Sequence, residues 1–509
     1  MSQIVQQGAL NTTALIVPDL YVQIVPPSVS LLNGVPTNVA GFVGTATWGP
    51  VNAPTIVGSM ADYASKFGAL QARKYDLGTA VAAAVLQGAN NMRCVRVTDG
   101  TDVAATIAVQ TNCITFTGKY TGTLGNSIQV TIANGSKAST SKVTVAMPGG
   151  AAEAFDNISG TGAALWVNMA AAINQGQYGL RGPSQIITAA AGAGTTAPTN
   201  ATVTLTGGTD GATTITGTVL LGADTTPRSG MYALRGTGAS IGVLADCDDS
   251  TTWTNQVAYG LSEGTYMVLT GPAGDTIANA VSAKSTAGID SYAAKLLFGD
   301  WVYFKDTVNG MTRLISPQGY VAGRLANLAP QESSLNKPLY GIVGTQKSYQ
   351  NLVYSSAELQ SLAAAGIDVI TNPIPAGDMF GVRIGHNTSS NPVTNGDNYT
   401  RMTNYEAATF AGGMGLFVGQ LQSSAANDPT RRGVNSTLSA LLQAQVDQEQ
   451  IDSFSVQCDL NNNPPNRIAL GYLQADVKVR YLGVVEKFLI NMEGGQSVTV
   501  TRQQTAAAA

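Results

Sequence analysis

The chain has 509 residues and a net charge of −4, room for about two to four domains with ample core. Charged residues are only 11% of the chain, while glycine alone counts 57; so few charges suit surfaces covered by other protein, because burying charge is costly. The acidic balance offers no basic footprint for nucleic acid, and no apolar window of about 18 residues is present to span a membrane.

The N-terminus, MSQIVQQGALNTTALIVPDL, lacks the charged start and continuous apolar core of a secretory signal, so the chain is expected to stay in the cytosol where it is made. Residues 1–17 read as poorly ordered. In PDLYVQIVPP, Leu20, Val22 and Ile24 alternate with Tyr21 and Gln23, a short strand fenced by Pro18, Pro26 and Pro27. NVAGFVGTATWGPVNAPTIV (38–57) predicts two strands around a glycine-rich turn. SMADYASKFG predicts a helix with Ser59 as N-cap and Gly68 as stop. LGTAVAAAVLQGANN is an alanine-rich helix, and MRCVRV a strand after it, the pattern of an α/β layer.

From 111 to 225 the texture is Thr/Gly-rich, with period-2 strands, turn residues and one helix near AALWVNMAAAINQ: a β domain inserted into the α/β layer. From 226 the α/β texture returns, with strands at IGVLADCDDS, GTYMVLTGPAG and GIDVITNPI. Helices ended by glycine are expected at TIANAVSAKSTAG and SSAELQSLAAAG, and KLLFGDWVYFKD reads as an aromatic strand. Near the end, Asp428 and Pro429 open an amphipathic helix to Ile451. FSVQCDL and ADVKVRYLGVVEKFLI follow as strands. The last segment, GGQSVTVTRQQTAAAA, alternates Ser497, Val498, Thr499, Val500 and Thr501 behind the flexible pair Gly494 and Gly495. Both ends of the chain therefore carry an isolated strand beside a breaker.

Chemistry is sparse. The single histidine, His386, lies in the polar loop GVRIGHNTSSN and reads as incidental. No nucleophile elbow, P-loop, HExxH or EF-hand spacing occurs. GTGASIG (236–242) reads as a turn, and DCDDS (246–250) as a strand-end turn capping the next helix. The four cysteines are widely spaced and expected to be buried free thiols. No catalytic, metal-binding or cofactor-binding residue is assigned. Arg431 and Arg432 stand in the first turn of the late helix, against its dipole; they read either as two solvated arginines or as a pair compensated by an acidic partner surface.

In order and spacing the motifs resemble the tail sheath proteins of contractile-tailed bacteriophages. PDLYVQIVPP resembles the family's N-terminal arm, NVAGFVGTATWGPVNAP with SMADYASKFG its first strand–turn–helix, and VAAAVLQGANNMRCVRV its helix, glycine and strand ending in Arg-Val. GNSIQVTI and TLTGGTDG look like the opening and closing of its inserted β-sandwich; SPQGYVAGRLA and the stretch from FGVRIGHNT resemble its later segments. Two departures stand out: Val85 and Leu86 replace the family's paired aromatics, and its WG-type signature survives only as MFGVRIG.

The resemblance implies a subtilisin-like α/β middle domain without a catalytic site (31–110 and 226–395), a β-sandwich inserted at 111–225, an α+β C-terminal domain (396–490) and extended arms at 1–30 and 491–509. It implies a homo-oligomer of stacked hexameric rings around a tail tube protein, with baseplate and tail terminator proteins as further partners, in a virion assembled in the host cytoplasm. Leu20, Tyr21, Val22, Gln23 and Ile24 would pair with a neighbouring subunit, as would Ser497, Val498, Thr499, Val500 and Thr501. Gly494 and Gly495 would serve as a hinge, the Pro26-Pro27 segment as a stiff joint, and Arg431 and Arg432 would face the tube. A sheath of another contractile machine, such as a secretion system or tailocin, has the same mechanics. A secreted β-rich adhesin suits the Thr/Gly content but not the N-terminus, and a hydrolase lacks a base beside any nucleophile.

Overall fold

Runs such as AGFVG (40–44) and YMVLT (266–270) have no polar alternation, so strands built from them must be covered on both faces. The computed structural model, which describes residues 32–492 and the backbones of Gln3–Val5 and Tyr21–Gln23, places them at the centre of a six-stranded sheet. Its order is Ala294–Leu297, Tyr266–Thr270, Ile241–Leu244, Ala40–Gly44, Met92–Arg96 and Thr55–Val57; the first five run parallel and the last is an antiparallel edge. Successive side chains point to opposite faces. Phe42, Cys94, Val243 and Val268 enter one core with the helices Met60–Phe67, Leu77–Leu86 and Gln318–Asn327. Val43, Val95, Leu244 and Leu269 enter a second core with Trp253–Glu263, Ile277–Ala287 and Ser356–Ala364. Each such side chain stabilises the fold by roughly 1.5–3 kcal/mol.

The alanine run has a packing reason. Helix Leu77–Leu86, capped by Asp76 (Thr79 N to Asp76 Oδ2, 2.8 Å), lies directly against Gln318–Asn327. A Cβ built on Gly323 would fall 2.4 Å from Ala84 Cα, and one on Gly319 2.7 Å from Ala80 O. Only small residues on both sides permit that approach. Ser59 caps Met60–Phe67 through Asp62 N, and Gly68 ends it at φ 84°. Ser355 and Glu358 form a reciprocal capping box on Ser356–Ala364.

Two antiparallel sheets follow the strand Met92–Arg96: Ile187–Ala191/Ile114–Gly118/Thr106–Val109, and Glu153–Ile158/Ser141–Ala146/Gln129–Asn134/Ala201–Thr204. With helix Ala163–Gln175 they share one core around Phe116, Phe155 and Trp166. The first of these strands begins at Thr106, ahead of the expected 111. Trp48, from the turn after Ala40–Gly44, packs into the same core. Arg96, fully buried, donates to Gly49 O (2.9 Å), Thr121 O (2.6 Å) and Asp210 O (3.2 Å). One side chain thus clamps both ends of the inserted unit to the central sheet.

KLLFGDWVYFKD is not one strand. Ala294–Leu297 stays in the parallel sheet, and Val302–Asp306 joins a separate antiparallel sheet with Met311–Ile315 and Ile342–Thr345. The chain is therefore mixed α/β with several sheets. At the N-terminus, Tyr21–Gln23 is a strand, but its partner is Gln3–Val5 of the same chain, in parallel register (Ile4 opposite Val22). At Gln3–Val5 that corrects the reading of the N-terminal stretch as poorly ordered: IV at 4–5 supplies enough apolar, β-branched character for a short ladder, and the rest of 1–17 lies outside the described residues.

Candidate subunit interface

The C-terminal unit begins on a buried charge cluster. Strand Ala294–Leu297 carries Lys295 in an otherwise apolar run, with its side chain fully buried. Its Nζ lies 2.5 Å from Asp368 Oδ2 and 3.0 Å from Asp397 Oδ1, and donates to His386 O at 3.1 Å. Asp397 also accepts from Tyr266 Oη (2.6 Å) and from the Ser334 hydroxyl. Burial opposes both charges. The two carboxylates nevertheless raise the lysine above its usual range, and Lys295 with the hydroxyl donors holds Asp397 below the usual carboxylate range. Asp397 is the first residue of helix Asp397–Gly413, so the cluster bolts that helix to the sheet. Arg401, one turn on, donates to Ala329 O (2.7 Å) and Leu328 O (2.8 Å); burial pulls its guanidinium down to about 10.

Helix Pro429–Asp447 packs on this support. Asp428 caps it, accepting from Arg431 N (2.9 Å) and Ser423 N (2.8 Å). Val434, Leu438 and Leu442 are buried along one face. Arg431 and Arg432 separate: Arg432 is exposed, while Arg431 is 2% exposed and donates to Ser423 O (2.7 Å) and Ala425 O. The expectation that Arg431 faces a partner is corrected accordingly. A side chain that satisfies the carbonyls of the loop before its own helix is not available to a tube. Nearby, Glu406 is buried with neither carboxylate oxygen hydrogen-bonded among the described residues; burial pushes its carboxyl up to about 7, the adjacent Gln445 opposing.

Among the described residues the strands Ile451–Gln457 and Asp476–Tyr481 pair only with each other. Phe454, Val456, Val477 and Val479 pack one face against the helices. Both outer edges lack a strand partner among the described residues, and a two-stranded sheet of this length is marginal alone. The second strand stops at Tyr481, short of the expected run to Ile490. Residues 482–492 continue as an unpaired stem whose apolar side chains face outward: Val485 is 76% exposed, Phe488 83% and Met492 88%. An apolar cavity of about 650 Å³, lined by Phe410, Phe417, Leu421, Leu438 and Val477, opens beside the sheet.

Of the arm residues, Tyr21, Val22 and Gln23 lie in the described strand; Leu20 and Ile24 lie outside the described residues. Gly494, Gly495 and the strand Ser497, Val498, Thr499, Val500, Thr501 also lie outside them, directly beyond the stem. The stem itself escaped the sequence reading because VVEKFLI is as good a strand pattern as any; its missing partner is what distinguishes it. Lys295 escaped too, although a lone lysine in AAKLLF was the available signal.

His386 Nε2 lies 2.8 Å from Glu486 Oε1, and among the described residues no hydroxyl or thiol is bonded to the ring. Among the described residues no group of three or more His, Cys, Asp or Glu side chains is placed to hold a metal. Cys94, Cys113, Cys247 and Cys458 are buried free thiols, and burial pushes Cys247 and Cys458 up to about 11. No described helix is long and apolar enough to cross a membrane.

No protein-family model and no curated protein matches the chain. Solved structures do. A sheath tail protein from Listeria innocua aligns over 88% of this chain and 96% of its own, with a TM-score of 0.61 and 14% identity. A sheath tail protein from Desulfitobacterium hafniense aligns over 86% and 93%, with a TM-score of 0.56 and 16% identity. The helical sheath of the anti-feeding prophage in its contracted state aligns over 94% and 99%, with a TM-score of 0.55 and 11% identity. The chain has the fold of contractile tail sheath proteins.

Proposed function

We propose that this chain is the structural sheath subunit of a contractile tail: a non-catalytic protein that polymerises as stacked hexameric rings around a tube and drives the tube forward by contracting. The observation that carries the reading is the sheet Ile451–Gln457/Asp476–Tyr481, two strands whose outer edges have no partner among the described residues, on a fold shared with sheath proteins over almost the whole chain. Open edges accept strands from other chains through main-chain hydrogen bonds, each worth about 0.5–1.5 kcal/mol net. In this reading the donors are the N-terminal strand around Val22 and the C-terminal strand around Val498, with Gly494-Gly495 as the joint that lets the second arm swing. The central sheet with its two helical layers is the subtilisin-like middle domain. The inserted unit faces outward, where it disturbs no lattice contact, and Arg432 faces the tube. Baseplate and terminator proteins bound the polymer at its ends.

Electron microscopy of the full chain beside a version ending before Gly494 tests this. Tubes or rings from the full chain and single particles from the truncation are the expected pair. Tubes from both remove the C-terminal strand from the account. Dispersed particles from both, with the tube protein added, overturn the assignment. The resemblance to the anti-feeding prophage sheath favours a second reading, a sheath in a non-phage contractile injection system, with the same mechanics.

A further inference from the structure

The stem that leaves Tyr481 does not leave freely. Leu482 O accepts from Asn398 Nδ2 at 2.9 Å, and Glu486 Oε1 meets His386 Nε2 at 2.8 Å. The five residues 482–486 are thus tied at both ends, at Asn398 of helix Asp397–Gly413 and at His386 of the α/β body. Beyond Glu486 the exposed Phe488, Leu489 and Ile490 carry the chain toward Gly494. The strap decides where that apolar run is presented.

The histidine end is built to respond to charge. Asn395 Nδ2 lies 3.4 Å from His386 Nδ1. A carboxylate only accepts, so in the neutral ring the proton belongs on Nε2, facing Glu486, and Nδ1 is left as an acceptor. A second proton on Nδ1 turns this hydrogen bond into an ion pair, which is stronger. Nδ1–H then needs an acceptor; Asn395 provides one by turning its amide, which makes no other hydrogen bond among the described residues. Other charges nearby are engaged elsewhere. Lys295 reaches the His386 carbonyl but is paired with Asp368 and Asp397. Arg480, in the strand leading to the stem, lies 3.2 Å from Asp452.

We infer that residues 482–486 form a pH-sensitive strap: protonation of His386 tightens the stem on the body, and its neutral form loosens it, lengthening the reach of the C-terminal segment. The strap is a property of the single chain. Its consequence for linking copies rests on the sheath reading.

The test is hydrogen exchange of 483–490 in unassembled full-length chain, near pH 6 and near pH 8, either side of where histidine changes charge. Glu486→Gln and His386→Gln are each compared with wild type at the same pH, which cancels the intrinsic pH dependence of exchange. Both variants are expected to exchange the stem about three- to fivefold faster than wild type near pH 6, as suits a partly exposed ion pair, and at nearly the wild-type rate near pH 8. Asn398→Ala frees the other end and is expected to act equally at both pH values. Equal ratios for the histidine and glutamate variants at the two pH values, or no acceleration near pH 6, overturn the strap. Because no polymer is involved, a failed sheath assignment leaves this result untouched, and the reverse also holds.

Discussion

Glu406 sits in an environment that opposes its charge: buried, without a hydrogen-bond partner among the described residues, and with its carboxyl pushed up to about 7. Its carboxyl is raised in the folded chain relative to the ordinary 4.5. Below the ordinary value both states are protonated and the group is neutral to stability. As pH climbs toward 7 the unfolded chain gives up its proton first, so the C-terminal unit loses stability; above 7 the penalty is constant, of order 2–3 kcal/mol. Glu406→Gln is expected to remove that slope. Hydrogen exchange in Asp397–Gly413 should match wild type near pH 5 and be slower than wild type near pH 8. At this scale the sequence is least informative. Arg96 shows as the end of MRCVRV, yet the carbonyls of Gly49, Thr121 and Asp210 that make it a clamp are scattered along the chain. Arg431 and Arg432 look equivalent on paper; one extra residue of helical rotation buries the first and exposes the second.

Elements were more legible, because caps and glycines are local. Ser59, Thr276, Ser355 and Asp428 all accept from the N3 backbone, where their side chains alone place a helix start. What could not be read is which helix meets which. Gly319 and Gly323 look like weak points in SPQGYVAGRLA until Ala80 and Ala84 are seen across the interface. Gly323→Ala therefore forces backbone apart and is expected to cost about 1–3 kcal/mol. Gly412→Ala, in a helix with nothing within 4 Å of the added carbon, is expected to gain about 0.5–1 kcal/mol. Thermal unfolding of the two variants beside wild type measures the contrast. The stem marks the opposite limit: alternation over ADVKVRYLGVVEKFLI promises a strand to its end, and pairing is decided by a neighbour the alternation does not name.

Over the whole molecule, the α/β layer and the inserted β unit follow from texture, since strands buried on both faces read as continuous apolar runs and half-buried ones alternate. The low charge content likewise points outward, to surfaces meant for other protein. The pair of open edges on Ile451–Gln457 and Asp476–Tyr481 adds a consequence in solution. A head-to-tail contact that does not close on itself propagates. If, as proposed, both edges accept strands from neighbouring copies, each joined copy brings new acceptors, so growth ends only when free chains are depleted. Purified chain is expected to stay monomeric up to a threshold concentration and to hold that free level constant above it, all excess entering long polymer. Sedimentation across a dilution series reads the threshold directly, and a gradual rise through dimers and trimers would contradict it. On that proposal the same arithmetic places the burden of timing on supply: polymer would appear when synthesis fills the pool to that critical level.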